Sequence, residues 1–287
     1  LTYKEIKYLT MRISIDFGIT VTDTLQKTKA GKLEHRMIPA VGHPNARIVK
    51  NLFPSLDFSR NIDFVAITGG HYQLIGNVIE KTPVVHVNEV DAIGEGGFDL
   101  ACLQPSQPAL IVSAGSGTAC IYAKHGQYRH ISGTGVGGGT VLGLSKLLLG
   151  TSNPREIEEL SSKGKASTTD FLLKDVVSGP IGQLPSNATA VNFGKIATSK
   201  HSANREDLAA GIVNLVGQTI ARLTTAIAVS LQVSEIVVVG RTPTFSSLRH
   251  SLEQAILLQN LKLLFPKHAE YASALGALLQ AEKHFAS

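Results

Sequence analysis

The residues best suited to chemistry fall in three places. Between Gly133 and Gly139 five of seven residues are glycine, and Thr140 follows. So dense a run gives up backbone entropy, and it lets a ligand come close to the main chain. It leads into Val141, Leu144, Leu147 and Leu148 at helical spacing, with Gly150 placed to close the helix. A glycine loop opening a helix presents unpaired N–H groups and a positive dipole end, which suits an anion such as phosphate. A tight turn or linker is the alternative, disfavoured because a linker does not run straight into a helix. The second place is Asp16-Phe17-Gly18-Ile19-Thr20. An acid at a strand end beside a glycine turn suits a metal or a phosphate, and equally a structural Asx-turn. The third is Asn88-Glu89-Val90-Asp91. Its carboxylates fit general-base work, and equally the dipole of a helix that Asn88 would cap. Two positions apart on a helix, Glu89 and Asp91 project about 200° apart, so one at most can serve a given site.

The elements that must position these residues read as alternating strands and helices. Met11–Asp16 alternates as a strand, and Val21–Leu25 makes its hairpin partner. Phe64–Ile67, Val84–Val87 and Ala109–Val112 are further strands, the last turning at Gly115-Ser116-Gly117-Thr118 into a partner at Ala119–Ala123. Strand, glycine turn, strand thus occurs twice, at Asp16–Thr20 and at Gly115–Thr118. Two such hairpins facing each other would offer backbone donors from both sides to one polyphosphate. That is the layout of the duplicated ATPases of the actin, sugar kinase and Hsp70 class. Helices are expected at Ala46–Leu52, Asn153–Leu160, Phe171–Val177 and about Phe245–Leu258. The longest, Glu206–Leu231, keeps Leu208, Ile212, Leu215, Val216, Ile220, Leu223 and Ile227 at a 3.6 period. Ile236–Val239 is an apolar strand ending at Gly240, the kind of strand end where open α/β sheets hold nucleotides. Leu261–Phe265 is a short strand, and a small-residue helix opens at Tyr271.

At 287 residues, 43% hydrophobic and 17% charged, the chain has ample core for one large or two medium domains. The net charge of +5 is spread without a Lys/Arg block or interleaved aromatics. Nucleic acid is therefore not an expected partner, and an anionic small molecule is compatible. No uninterrupted apolar run approaches the roughly 20 residues of a membrane span. Residues 1–10 read as a leader or extension, with Met11 a candidate start, and carry no secretory signal. Cys102 and Cys120 lack metal spacing and read as buried free thiols in a reducing compartment.

On these residues the chain resembles the type II pantothenate kinases, of the acetate and sugar kinase superfamily. The most specific piece is Leu110–Thr118 followed by Tyr128–Leu144, with Asn88–Ala92, Val237–Gly240 and Ser273–Ala277 in support. The resemblance runs from Met11 to about Ala281. It implies an α/β, duplicated actin-like ATPase (ribonuclease H-like) fold, with two lobes, 11–108 and 109–287, around a nucleotide cleft. It implies that Asp16 holds Mg²⁺ with ATP and that Gly18 and Thr20 line the first phosphate loop. Gly115, Ser116, Gly117 and Thr118 would form the second loop, with Gly137, Gly138, Gly139 and Gly240 also facing nucleotide. Glu89 would be the base that takes the proton from the pantothenate primary hydroxyl. Arg129, His130, Gly133 and Thr134 would line the substrate.

The chain departs from the family's pattern at three positions. Ile19 stands for a glycine and Asp23 for a lysine, while His130 stands for an arginine that cannot be copied by imidazole. The expected activity is ATP- and Mg²⁺-dependent phosphorylation of pantothenate, the first step of coenzyme A synthesis. The alternative is a catalytically weak nucleotide- or acyl-coenzyme-A-binding homologue, or a kinase for another small alcohol. A cytoplasmic homodimer through the 206–231 helix is expected, with no membrane or nucleic-acid partner.

Overall fold

The computed structural model describes residues 11–28, 30–59, 62–179, 184–198, 202–256 and 261–286. The expected leader at 1–10 lies outside the described residues, as does the end of the helix expected to reach Leu258. Strands β1 (Met11–Phe17), β2 (Val21–Thr28) and β3 (Leu33–Pro39) precede helix α1 (Ala46–Leu52). Then come β4 (Ile62–Gly69), β5 (Val78–Ile79), β6 (Thr82–His86) and α2 (Glu89–Leu100). Strands β7 (Ala109–Ala114), β8 (Thr118–Lys124) and β9 (Gln127–Thr134) lead to α3 (Gly138–Leu149) and α4 (Pro154–Lys163). After these come β10 (Phe171–Leu172), α5 (Leu173–Val176), β11 (Thr189–Val191), α6 (Gly194–Ala197) and α7 (Arg205–Ser230). The chain closes with β12 (Glu235–Val239), α8 (Ser246–Ile256), β13 (Lys262–Leu264) and α9 (Ala272–Ala286).

Two units result. Of the described residues, the first comprises those within 11–111, 121–130 and 265–286, the second those within 112–120 and 131–264. A linear division at 108/109 differs from this because 109–111, 121–130 and α9 all fall in the first unit.

In the first unit the sheet order is β3-β2-β1-β4-β6-β5, with β1–β2 antiparallel and β1–β4–β6 parallel. Strand alternation sends Ile13, Ile15 and Phe17 with Val65 and Ile67 into one core, closed by Val49 and Phe53. Burying each such side chain stabilises by about 1.5–3 kcal/mol. The opposite face carries Ser14, Leu25, Phe64 and Ala66, and small residues of α9 cover it: Ala274, Ala277 and Ala281 are fully buried. Ser14 Oγ donates to Ala274 O at 2.7 Å. The small residues of α9 serve a second purpose. A Cβ at Gly96 of α2 would overlap Ala272 O, and one at Gly276 would overlap Ala92 O. The two helices therefore cross with their backbones in contact.

In the second unit β12 is buried along its whole length and pairs in parallel with β13, the two belonging to a sheet of order β13-β12-β7-β8-β9. The Asn204 side chain caps α7 by accepting from Asp207 N at 2.7 Å. By length and composition α7 is, among the described residues, the one helix able to cross a bilayer, which single-residue runs did not suggest. Half of that apolar stretch is buried inside the fold, as in a core helix. Ile212, Val216, Ile220 and Ala228 lie under α3, α4 and α8, so less of the stripe is left over than its pattern suggests.

Three local expectations change. The helix expected at 171–177 is a strand pair and one helical turn: Phe171 and Leu172 pair with β11, and Leu172 N donates to Asp175 Oδ2 at 3.0 Å. Strand β3 escapes pattern reading because Glu34, His35 and Arg36 interrupt its apolar residues; backbone pairing to β2 holds it. Cys102 is exposed, in the turn just past α2, where its N–H donates to Asp99 O. Cys120 is buried in β8, and burial pushes its thiol up to about 12.

Candidate functional site

The glycine segments of the second unit assemble into one backbone framework. Gly138 N donates to Gly115 O at 2.8 Å and Gly139 N to Ser116 O at 2.9 Å. Gly115 N closes its own turn on Gly117 O at 2.9 Å. A Cβ at Gly137 would stand 2.8 Å from the Gly117 backbone, so glycine is required on steric grounds. Thr118 Oγ1 donates to Val136 O at 2.8 Å, and Thr242 Oγ1, just past β12, donates to Gly115 O at 2.8 Å. Gly240 has φ +92°, and a Cβ there would lie 2.6 Å from Ala114 O. So 115–118, 137–139 and 240–242 are brought together. One expectation is corrected here. The amides of Gly137, Gly138 and Gly139 are already bonded, to Thr140 Oγ1, Gly115 O and Ser116 O. They lock the loops to each other at the start of α3.

In the first unit Asp16 stands at the end of β1, beside the end of the parallel strand β4, the usual ligand position of such sheets. Its carboxylate lies over Gly69 (φ +89°), where a Cβ would meet Asp16 Oδ1. Gly70 N donates to Phe17 O at 2.7 Å and fixes that turn. Ile19 is 84% exposed, so the side chain that replaces glycine points into solvent. Thr20 is exposed as well. Asp23 is the cross-strand partner of Asp16 and is only 3% exposed. Its Oδ1 lies 2.7 Å from His35 Nε2, and the His35 ring rests on Tyr271 at 4.5 Å between centroids. The expected lysine position is thus a buried carboxylate paired with a half-buried imidazole. Among the described residues no group of three or more His, Cys, Asp or Glu could hold a metal unaided. A lone carboxylate fits Mg²⁺, which binds through one or two carboxylates together with substrate phosphates and water.

Glu89 is the first residue of α2 and is exposed, while Asn88 Oδ1 caps Val90 N at 2.8 Å. Asp91 is half-buried; desolvation, then the nearby Glu95 charge, pushes its carboxyl above the usual range. Glu95 itself, unremarked in the sequence, is 9% exposed and accepts from Tyr128 Oη at 3.0 Å. On β9 the alternation of faces separates the two expected substrate ligands. Arg129 lies over the Tyr122 ring at 5.9 Å, whereas His130 shares the face of Tyr128, toward α2. Both are exposed, as is Gly133, and Thr134 Oγ1 accepts from Val136 N at 3.2 Å.

The family model described as Fumble matches residues 45–280. The chain belongs to the Fumble family. A type II pantothenate kinase of Bacillus cereus is 29% identical, over 94% of this chain and 98% of that one. Another, of Oceanobacillus iheyensis, is 30% identical, over 75% of this chain and 81% of that one. Among solved structures, the (R)-2-hydroxyglutaryl-CoA dehydratase component A of Acidaminococcus fermentans superposes with a TM-score of 0.68 at 16% identity, covering 97% of this chain and 100% of its own. The activator of 2-hydroxyisocaproyl-CoA dehydratase from Clostridium difficile, solved with ADPNP, gives 0.66 at 16%, covering 96% of this chain and 95% of its own. This Fumble-family chain therefore has the α/β fold of the actin-like ATPases.

Proposed function

We propose that this chain transfers the γ-phosphoryl group of ATP to pantothenate, giving 4'-phosphopantothenate and ADP at the entry to coenzyme A synthesis. The observation that carries the reading is membership of the Fumble family together with near full-length similarity to proteins named type II pantothenate kinase. Phosphoryl transfer asks chiefly for positioning and charge neutralisation. The rigid framework of Gly115–Thr118 and Gly137–Gly139 is suited to cradling phosphates, and Gly240 to the adenosine side. In the first unit Asp16, Gly18 and Thr20 are suited to phosphate, and Asp16 would hold Mg²⁺, which neutralises phosphate charge when bound. Glu89 accepts the proton of the pantothenate hydroxyl. His130, Gly133 and Thr134 orient that substrate, Arg129 lying on the opposite face of β9 over Tyr122. The cytoplasm, where ATP and coenzyme A precursors meet, is the compartment we assign. An assay following ADP should show turnover that requires both pantothenate and Mg²⁺. No turnover at any pH or Mg²⁺ level rejects the assignment, and turnover of an amino sugar instead redirects it.

The Asp23–His35 pair at the lysine position favours one second reading, a nucleotide- or acyl-coenzyme-A-binding homologue with little catalysis. Calorimetric titration separates the two, since that reading needs tight binding without product. For assembly we propose a homodimer through α7, whose Ala226 and Val229 stay exposed one turn apart beside the half-buried Ile227. Light scattering at micromolar concentration should give twice the 30.5 kDa chain mass; a monomer mass refutes it.

A further inference from the structure

We infer that Tyr128 and Glu95 are positioning residues, which fasten β9 to α2 and thereby set His130 and Glu89 in place; the inference rests on the function proposed above. Glu95 sits in the middle of α2, 9% exposed, with Asp91 and Asp99 one turn away on either side. A carboxylate buried beside two others is unfavourable, and an apolar residue would pack there at less cost. Three donors from two other elements hold it: Tyr128 Oη at 3.0 Å, Gln280 Nε2 at 2.8 Å and Lys283 Nζ at 2.5 Å. The charged and titratable groups around it are Asp91 and Asp99 on α2, Tyr128 on β9, Lys283 on α9 and Lys27 on β2.

The Tyr128 side chain packs against Gly94, where any Cβ would overlap it. Helix α2 is thus cut away at one residue to admit the ring, and charged at the next to bind its hydroxyl. Glu89 begins the same helix, and His130 shares a face of β9 with Tyr128. A base on one element and a substrate ligand on the other need a fixed spacing, and misplacing reacting groups by 1 Å can cost about 10²-fold. The Tyr128–Glu95 bond supplies that spacing without touching substrate.

Tyr128→Phe keeps the ring and removes only the hydroxyl. Turnover with ATP and pantothenate should fall about tenfold, within the range of such misplacement, with the KM for ATP unchanged. Hydrogen exchange at the amides of residues 88–93 should quicken while β1 and β4 exchange as in wild type. Lys283→Met, which removes a different donor to Glu95, should act in the same direction and stands in where Tyr128→Phe does not fold. Unchanged turnover, or slowed turnover with unchanged exchange at 88–93, overturns the inference. Should the wild type not phosphorylate pantothenate, the proposed function falls, and exchange at 88–93 alone then decides whether the bond fixes α2.

Discussion

Glu89→Gln is expected to lower turnover by about 10²–10⁴-fold, the usual contribution of a general base. ATP affinity and melting temperature should stay near wild type. The substitution keeps shape and a hydrogen-bonding group, so the two roles open to Glu89 separate cleanly. Its alternative role, complementing the dipole of α2, is worth at most about 1 kcal/mol at an exposed first-turn position. Asp91→Asn is the necessary partner measurement. Burial and the Glu95 charge raise the Asp91 carboxyl above its unfolded value. A carboxyl raised on folding binds its proton more tightly in the native state, so ionising it at neutral pH works against the fold. Asp91→Asn should therefore hold or raise the melting temperature near pH 7, with the gain shrinking as pH falls toward the carboxyl range. If Asp91→Asn removes turnover while Glu89→Gln keeps it, the base is Asp91.

Gly276→Ala is expected to be, with Gly96→Ala, among the most damaging single-methyl changes in the first unit. The added carbon would overlap Ala92 O, a backbone atom of α2 that cannot swing aside as a side chain would. Overpacking of this sort costs about 1–3 kcal/mol, and more where backbone must move, out of a total of about 5–15 kcal/mol. For a chain this size calorimetry should show a melting temperature lower by roughly 2–4 °C per kcal/mol lost. Gly143→Ala on α3 is the control. Nothing lies within 4 Å of a Cβ there, and a helix-interior glycine exchanged for alanine should be neutral or stabilising. A Gly276→Ala protein that melts with wild type would show that α2 and α9 do not touch along their backbones.

Much of this arrangement can be read from residue order, and the reasons for the rest are physical. The β1–β2 and β7–β8 hairpins and the helix after Gly137 follow from local patterns, down to Gly150 closing α3 at φ +77°. Legibility fails where a partner distant in sequence decides. Strand β3 is kept extended by β2, and the Phe171 segment by β11, against their own side-chain patterns. In the site, glycine spacing marks Gly115–Thr118 and Gly137–Gly139 as one set. It does not reveal that their N–H groups serve each other, because that depends on register between segments some 20 residues apart. Glu95 and His35 carry no local signal either, being ordinary charged residues until Tyr128, Lys283 and Asp23 are placed against them.

The return of α9 to the first sheet bears on how the chain folds as it is made. Ser14, Phe64 and Ala66 lie on a face that residues 272–286 cover, and α2 ends at Leu100. Synthesis at about 5–20 residues per second leaves that face waiting for on the order of ten seconds or more. During that time the second unit can complete its own core, whereas the first holds a strand set with one apolar side bare. A nascent chain arrested before Ala272 should accordingly draw holdase chaperones to the β1–β4 sheet, and release them once α9 clears the ribosome.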